Sequence, residues 1–113
     1  MEKLSVMIVD DEQWIARLVE ALIRWDELEM SLQGTFYDGM EAFQHIISEK
    51  PDIVITDIRM PELSGIDLMK KLNENSIFSK MIVVSGYDDF DYAQGQNLFC
   101  SVVILILSMH RLH

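Results

Sequence analysis

The sequence has few of the residues that build disulfides, membrane spans or nucleic-acid surfaces. Among its 113 residues are one cysteine and two prolines, and nine basic side chains stand against nineteen acidic ones. The lone Cys100 excludes an internal disulfide. The longest apolar run, Val102 to Leu107, is far shorter than the roughly 20 residues that cross a bilayer. A net charge of −10 is the wrong sign for gripping nucleic-acid phosphates.

What remains is typical of one ordinary globular domain. Half of the residues are hydrophobic and a quarter are charged, which argues against a disordered chain. The length fits a single domain, so any partner domain would lie outside this chain. The amino terminus lacks the apolar core of a signal peptide, and we therefore expect a cytoplasmic protein without membrane association.

Short apolar runs alternate with amphipathic helical patterns along the chain. The runs predict strands at residues 4–9, 31–37, 53–57, 81–84 and 102–107. Three intervening helices are predicted from apolar residues at helical spacing: Ile15, Leu18, Val19, Leu22 and Ile23; Met40, Phe43, Ile46 and Ile47; Leu68, Met69 and Leu72. Asp38 and Glu41 have capping-box spacing before the second helix. The alternation predicts an α/β doubly wound fold, a five-stranded parallel sheet with helices on both faces.

Carboxylates follow two of the predicted strands. Asp10 and Asp11 come directly after the first strand, Asp57 ends the third, and Ser85 follows the fourth. The carboxyl ends of parallel strands meet at one edge of the sheet, where such folds bind ligands. Clustered carboxylates repel one another unless a cation lies among them, and Mg²⁺ prefers hard oxygen ligands. The pattern therefore predicts a Mg²⁺ site suited to phosphoryl transfer onto a carboxylate.

Three motifs together resemble one known family. They are Val9-Asp10-Asp11-Glu12, the run from Asp52 to Pro61 with Gly65 four residues on, and Val83-Val84-Ser85-Gly86-Tyr87. In combination they resemble the receiver domains of bacterial two-component response regulators, whose fold is CheY-like or flavodoxin-like. The run from Ser85 to Phe90 is similar to receivers fused to AraC-type DNA-binding domains.

The resemblance implies a role for each matching residue. Asp57 would be the phosphoacceptor, Asp11 a direct Mg²⁺ ligand and Asp10 a ligand acting mainly through water. Further roles fall on the backbone carbonyl of Arg59 as a metal ligand, on Ser85 as the switch hydroxyl, and on Met60, Pro61 and Gly65 as support for the loop. The implied partner is a sensor histidine kinase, and DNA would be reached only through a domain not present in this chain. The implied role is transcription regulation by a phosphorylated signalling protein, not an enzyme with a foreign substrate.

The resemblance covers about residues 4–94 and then ends abruptly. The family has a Lys-Pro pair after its fifth strand, and its position falls near Leu107, where no lysine stands. The family's final helix has no counterpart in the sequence either. We therefore expect residues 1–94 to form the receiver core and residues 95–113 to be an atypical or truncated end of the same domain. A frameshift or a truncation is our hypothesis for this end, and the alternative is a genuine tail of a divergent receiver.

Other functions stay open at this point. A pseudo-receiver would keep the fold but act as a protein-interaction module without phosphate, and the absent lysine favours that reading. A Mg²⁺-dependent phosphohydrolase would place a second acidic residue two positions after the nucleophile, where this chain has Arg59. Dimerisation through an apolar surface normally covered by the final helix is a further hypothesis.

Overall fold

Strands and helices alternate along the described chain from its first strand to its fourth. The computed structural model describes residues 3–85 and 102–106. These residues form, in order, β1 (Leu4–Val9), α1 (Gln13–Leu22), β2 (Met30–Phe36), α2 (Gly39–Glu49), β3 (Ile53–Asp57), α3 (Gly65–Glu74), β4 (Lys80–Ser85) and β5 (Val102–Ile106). Every predicted strand is present, and each of its ends lies within one residue of the predicted bound. Within these residues, no helix is long and apolar enough to cross a membrane.

The five strands form one parallel sheet in the order β2-β1-β3-β4-β5. Consecutive strands β1 and β2 are neighbours, and the next strand along the chain, β3, lies on the other side of β1. The strand order therefore reverses at β1, which is where doubly wound sheets place their ligand crevice. The predicted fold class is confirmed.

Helices cover both faces of the sheet and divide the core in two. The larger half lies under α2 and α3, where Ile46, Leu68 and Leu72 are buried against Met7 and Val54. On the opposite face, Val6, Ile8, Ala16, Ile55 and Val84 form a smaller buried cluster beneath α1. Two layers of helix around a mostly apolar sheet give every strand in the centre two buried faces.

The predicted buried face of α1 is partly wrong. Leu22 is 69% exposed and Leu18 is 38% exposed, whereas Ala16, which was not predicted to be buried, is fully covered. The small side chain of Ala16 faces the sheet in the fully buried cluster, and Val19 and Ile23 pack beside it. Leu22 instead lines an apolar groove of about 260 Å³ that extends to β4. Hydrophobic periodicity finds the apolar stripe but does not show how much of it is covered.

The predicted apolar face of α2 needs a similar correction at Met40. Met40 is 39% exposed, while Ala42 and Ile46 are fully buried. Asp38 caps α2 as predicted, accepting hydrogen bonds from the backbone N–H groups of Met40 and Glu41 at 2.7 and 3.3 Å. The predicted helix entry at residues 87–93, the absent lysine near Leu107 and the absent final helix all lie outside the described residues.

Candidate metal site at the carboxyl edge of the sheet

Asp10 and Asp11 are placed by the end of β1. The backbone N–H of Asp10 still donates to the Phe36 carbonyl of β2 at 3.0 Å, so the sheet fixes its position. One carboxylate oxygen of Asp10 accepts from the Glu12 backbone N–H at 2.9 Å. The side chain is only 4% exposed. Asp10 is therefore a buried, oriented carboxylate, and Asp11 follows it at the accessible rim.

Asp57 is the last residue of β3, in register with Val84 of β4. Its Oδ1 accepts from the Ile58 backbone N–H at 2.7 Å. The buried hydroxyl of Thr56 donates to the Asp57 carbonyl at 3.0 Å. These two bonds hold the backbone and the carboxylate of Asp57 in one orientation.

The loop after Asp57 folds back tightly against β3. The Gly65 N–H donates to the Ile58 carbonyl at 2.8 Å, and a Cβ at position 65 would collide with the Asp57 carbonyl oxygen. Only glycine fits such a close backbone approach. This close approach explains why glycine stands at position 65, a residue for which the family resemblance implied only support of the loop.

A reciprocal capping box begins α3 at the end of this loop. The Asp67 N–H donates to the Ser64 hydroxyl at 3.1 Å, and the Ser64 N–H donates to the Asp67 carboxylate at 3.4 Å. Ser64 and Asp67 have capping-box spacing in the sequence, but this helix cap was not predicted. Met60 and Leu63 are each 8% exposed and join the core, so they anchor the loop from below. Pro61 is exposed.

The three predicted carboxylates converge. Asp10, Asp11 and Asp57 each offer a carboxylate oxygen, and these atoms all lie within 4.8 Å of one another. Opposite ligands on an octahedral Mg²⁺ lie about 4.2 Å apart, twice the Mg–O distance. The cluster is therefore close to the size of one coordination shell, and its hard oxygen donors fit Mg²⁺. The residues present fit the metal that the sequence predicted.

Burial makes this cluster electrostatically costly without a cation. The pKa of Asp10 is raised from 3.8 to about 6, chiefly by desolvation and further by the charges of Asp11 and Glu12, while the hydrogen bond from the Glu12 backbone lowers it. A cation among the carboxylates would favour the ionised form and reverse the effect of burial. The raised pKa of Asp10 thus indicates that its ionised carboxylate is unfavourable in this buried site without a cation.

The other predicted residues lie near this cluster by backbone position. Ser85 ends β4, one residue beyond the register partner of Asp57, and is paired with Ile106 of β5. Arg59 is exposed in the loop after β3. Thr56 was not predicted to contribute, although a polar residue inside a buried strand next to Asp57 was a usable signal.

The sequence matches the response regulator receiver domain over residues 6–97. A transcriptional regulatory protein of Bacillus subtilis, YesN, named as uncharacterized, is 38% identical over 90 residues, which are 80% of this chain and 24% of that protein. The transcriptional regulatory protein HptR of Staphylococcus aureus is 38% identical over 88 residues, or 78% of this chain and 34% of HptR. The chain thus spans about a quarter to a third of these curated relatives.

Solved structures agree with the sequence comparison. The REC domain of AraT, a response regulator from Geobacillus stearothermophilus, is similar with a TM-score of 0.82 and 33% identity, covering 93% of this chain and 81% of that one. A two-component transcriptional regulator AraC from Clostridium phytofermentans gives 0.83 at 29% identity, covering 92% and 81%. The chain belongs to the response regulator receiver domain family. Receiver domains are signalling modules of two-component response regulators.

Family membership also carries general statements about ligands and partners. Receiver domains typically bind Mg²⁺ in an acidic pocket, and the cluster of three aspartates could hold a metal. Response regulators act with histidine kinases and reach DNA through effector domains. The predicted family is confirmed by the match to the receiver domain.

Proposed function

We propose that this domain is a phosphorylation switch that accepts a phosphoryl group from a histidine kinase on Asp57. The single observation that carries the proposal is the convergence of the Asp10, Asp11 and Asp57 oxygens within 4.8 Å. Asp57 is the natural acceptor because it terminates the central strand β3, and its carboxylate is already oriented by the Ile58 N–H. A fixed carboxylate needs little reorganisation before it attacks.

Asp10, Asp11 and Asp57, with the backbone carbonyl of Arg59, would hold the Mg²⁺ ion. When bound, the metal would neutralise charge on the transferring group. Asp10 is buried and held by the Glu12 N–H, so it would act as a fixed anchor of the site. Asp11 lies next to it and would be the more accessible ligand.

In the transfer itself, a carboxylate oxygen of Asp57 would form a bond to phosphorus. The bond between phosphorus and the donor's imidazole nitrogen would break, and the imidazole would keep the electron pair. No other co-reactant is needed, because the product is an acyl phosphate on the domain. Ser85, at the end of the neighbouring strand, would then donate its hydroxyl to the new phosphoryl group and shift the domain toward a partner-binding state.

The direct test is incubation with acetyl phosphate and Mg²⁺, followed by intact mass spectrometry. The wild type is expected to gain the mass of one phosphoryl group, and Asp57→Asn to gain none. Asp38→Asn is a matched control, because Asp38 also follows a strand but only caps α2. Asparagine caps helices as well as aspartate does. Equal labelling of the Asp57→Asn variant, or none of the wild type, would refute the proposal.

A pseudo-receiver that binds partners without phosphate is the second candidate. It is favoured by one observation, the absence of lysine near Leu107. A pseudo-receiver would bind Mg²⁺ through the same carboxylates yet gain no mass with acetyl phosphate. The labelling experiment therefore separates the two functions.

The names of the relatives suggest that the output of the switch is transcription regulation. YesN and HptR are named as transcriptional regulatory proteins, and this chain spans only about a quarter to a third of them. We assign residues 1–94 to the receiver core and propose that any DNA contact is made by an effector domain outside this chain. A sensor kinase would be the upstream partner. Gel filtration at high protein concentration tests the hypothesis that the domain forms a homodimer.

A further inference from the structure

Few positive charges are available at the candidate site. Among the described residues, Lys3 and Lys50 precede the amino ends of strands, and Lys80 begins β4. Arg24 lies in the connection from α1 to β2, which leads to the amino end of β2 at the opposite edge of the sheet. Arg17 and Lys70 lie within α1 and α3. Lys71 lies in the last turn of α3, and its ammonium group is 4.8 Å from the centre of the Phe43 ring. Within the part of the chain that the structure describes, Arg59 is the one cationic residue that follows the carboxyl end of a strand.

The charge of the phosphorylated site favours a cationic residue close to Asp57. Three ionised carboxylates around one Mg²⁺ leave one net negative charge. A phosphoryl group on Asp57 would replace one charge by nearly two, so the occupied site would be about one unit more negative. Asp10 is only 4% exposed, and a buried site disfavours additional negative charge. A positive side chain close to the phosphoryl oxygens would restore the balance.

The position of Arg59 satisfies the requirement of reach. It lies two residues after Asp57, so the two Cα atoms are at most about 7 Å apart, a gap that an extended arginine side chain spans. The loop is held on both sides, by Gly65 against Ile58 and by the buried Met60. Arg59 also lines a cavity of about 490 Å³ along this loop, together with Met60, Pro61 and Ser64.

We infer that the guanidinium of Arg59 supplies the positive charge that stabilises the phosphoryl group on Asp57. This role rests on the proposed phosphoryl transfer and concerns the side chain of Arg59, separate from the carbonyl expected to bind Mg²⁺. An arginine offers several N–H donors in a fixed fork that matches phosphoryl oxygens. The chain would thereby retain a cation at the site although no lysine stands near Leu107.

The test compares Arg59→Gln, Arg59→Lys and wild type in two measurements. The rate of phosphoryl uptake from acetyl phosphate at saturating Mg²⁺, followed by intact mass, is expected to fall about tenfold in Arg59→Gln, since one exposed charge-assisted contact is lost. Arg59→Lys is expected to recover most of the rate. Calorimetric titration with Mg²⁺ alone is expected to show equal or tighter binding in Arg59→Gln, because removing a cation favours a second cation.

The two measurements separate a charge role from a structural one, because loss of the charge slows phosphoryl uptake without weakening Mg²⁺ binding. A misfolded loop would weaken Mg²⁺ binding together with phosphoryl uptake, and that result would overturn the inference. Arg24→Gln is the matched control, an exposed arginine at the opposite edge whose removal should change neither measurement. If Asp57 is labelled equally fast in Arg59→Gln and wild type, Arg59 has no such role while the proposed function stands. An unlabelled wild type would overturn both.

Discussion

Replacing Asp10 by asparagine should stabilise the metal-free protein. The pKa of Asp10 is raised from 3.8 to about 6, mainly by desolvation. One pKa unit corresponds to about 1.4 kcal/mol, so at pH 8 the ionised side chain costs up to about 3 kcal/mol of folding free energy. Asparagine removes this charge and keeps an oxygen to accept from the Glu12 N–H. Allowing for a buried amide, we expect a net gain of about 2 kcal/mol.

The pH dependence gives this prediction its sign. A folded pKa above the unfolded value means that the folded state binds the proton more tightly. The favourable contribution of Asp10 is therefore complete below pH 3.8 and is lost as the pH rises through about 6. The difference in stability between Asp10→Asn and wild type should be largest at pH 7–8 and should shrink toward about pH 4–5.

Thermal unfolding in EDTA and in Mg²⁺ measures both halves of the prediction. In EDTA at pH 8, the variant is expected to melt roughly 8 °C above wild type. Mg²⁺ should raise the Tm of wild type by binding the folded state, and should raise that of the variant much less. Asp38→Asn serves as control and should follow wild type in both buffers. An Asp10→Asn variant that melts below wild type in EDTA, or gains equally from Mg²⁺, would refute the electrostatic reasoning.

Two further predictions concern the loop and the core. Gly65→Ala should lower the free energy of unfolding by about 2 kcal/mol or more and weaken Mg²⁺ binding, because the methyl group collides with the backbone of β3; urea unfolding and calorimetry measure both, and an unchanged variant would contradict the close approach. Ile46→Ala should cost about 3 kcal/mol by leaving a cavity, whereas Leu22→Ala, 69% exposed, should cost far less. Equal losses in urea unfolding would contradict the burial of the two residues.

The sheet and the site could be predicted from the sequence because both depend on strong local patterns. The apolar runs of β1 and β3 are buried on both faces, and each ends sharply on aspartate. Parallel strands bring such ends together whatever the details of the helices. The convergence of Asp10, Asp11 and Asp57 could therefore be predicted from the order of the strands alone.

Helix burial could not be predicted as well. Leu22 and Ala16 lie on the same helix, and the pattern favoured the leucine as the buried residue. Burial depends on what covers a side chain, and on this face α1 is the one helix within residues 3–85 and 102–106. Periodicity records which side of a helix is apolar, while the depth of burial is decided by distant parts of the chain.

The carboxylates at the strand ends show how one local motif serves two purposes. Asp10, Asp38 and Asp57 each accept a hydrogen bond from a backbone N–H one or two residues later. At Asp38 the carboxylate is exposed and the bond simply caps α2. At Asp10 the same kind of bond lies in a buried crevice, where it opposes the effect of desolvation on the pKa without cancelling it. The environment decides the chemistry, because only carboxylates brought together by strand order gain from a cation.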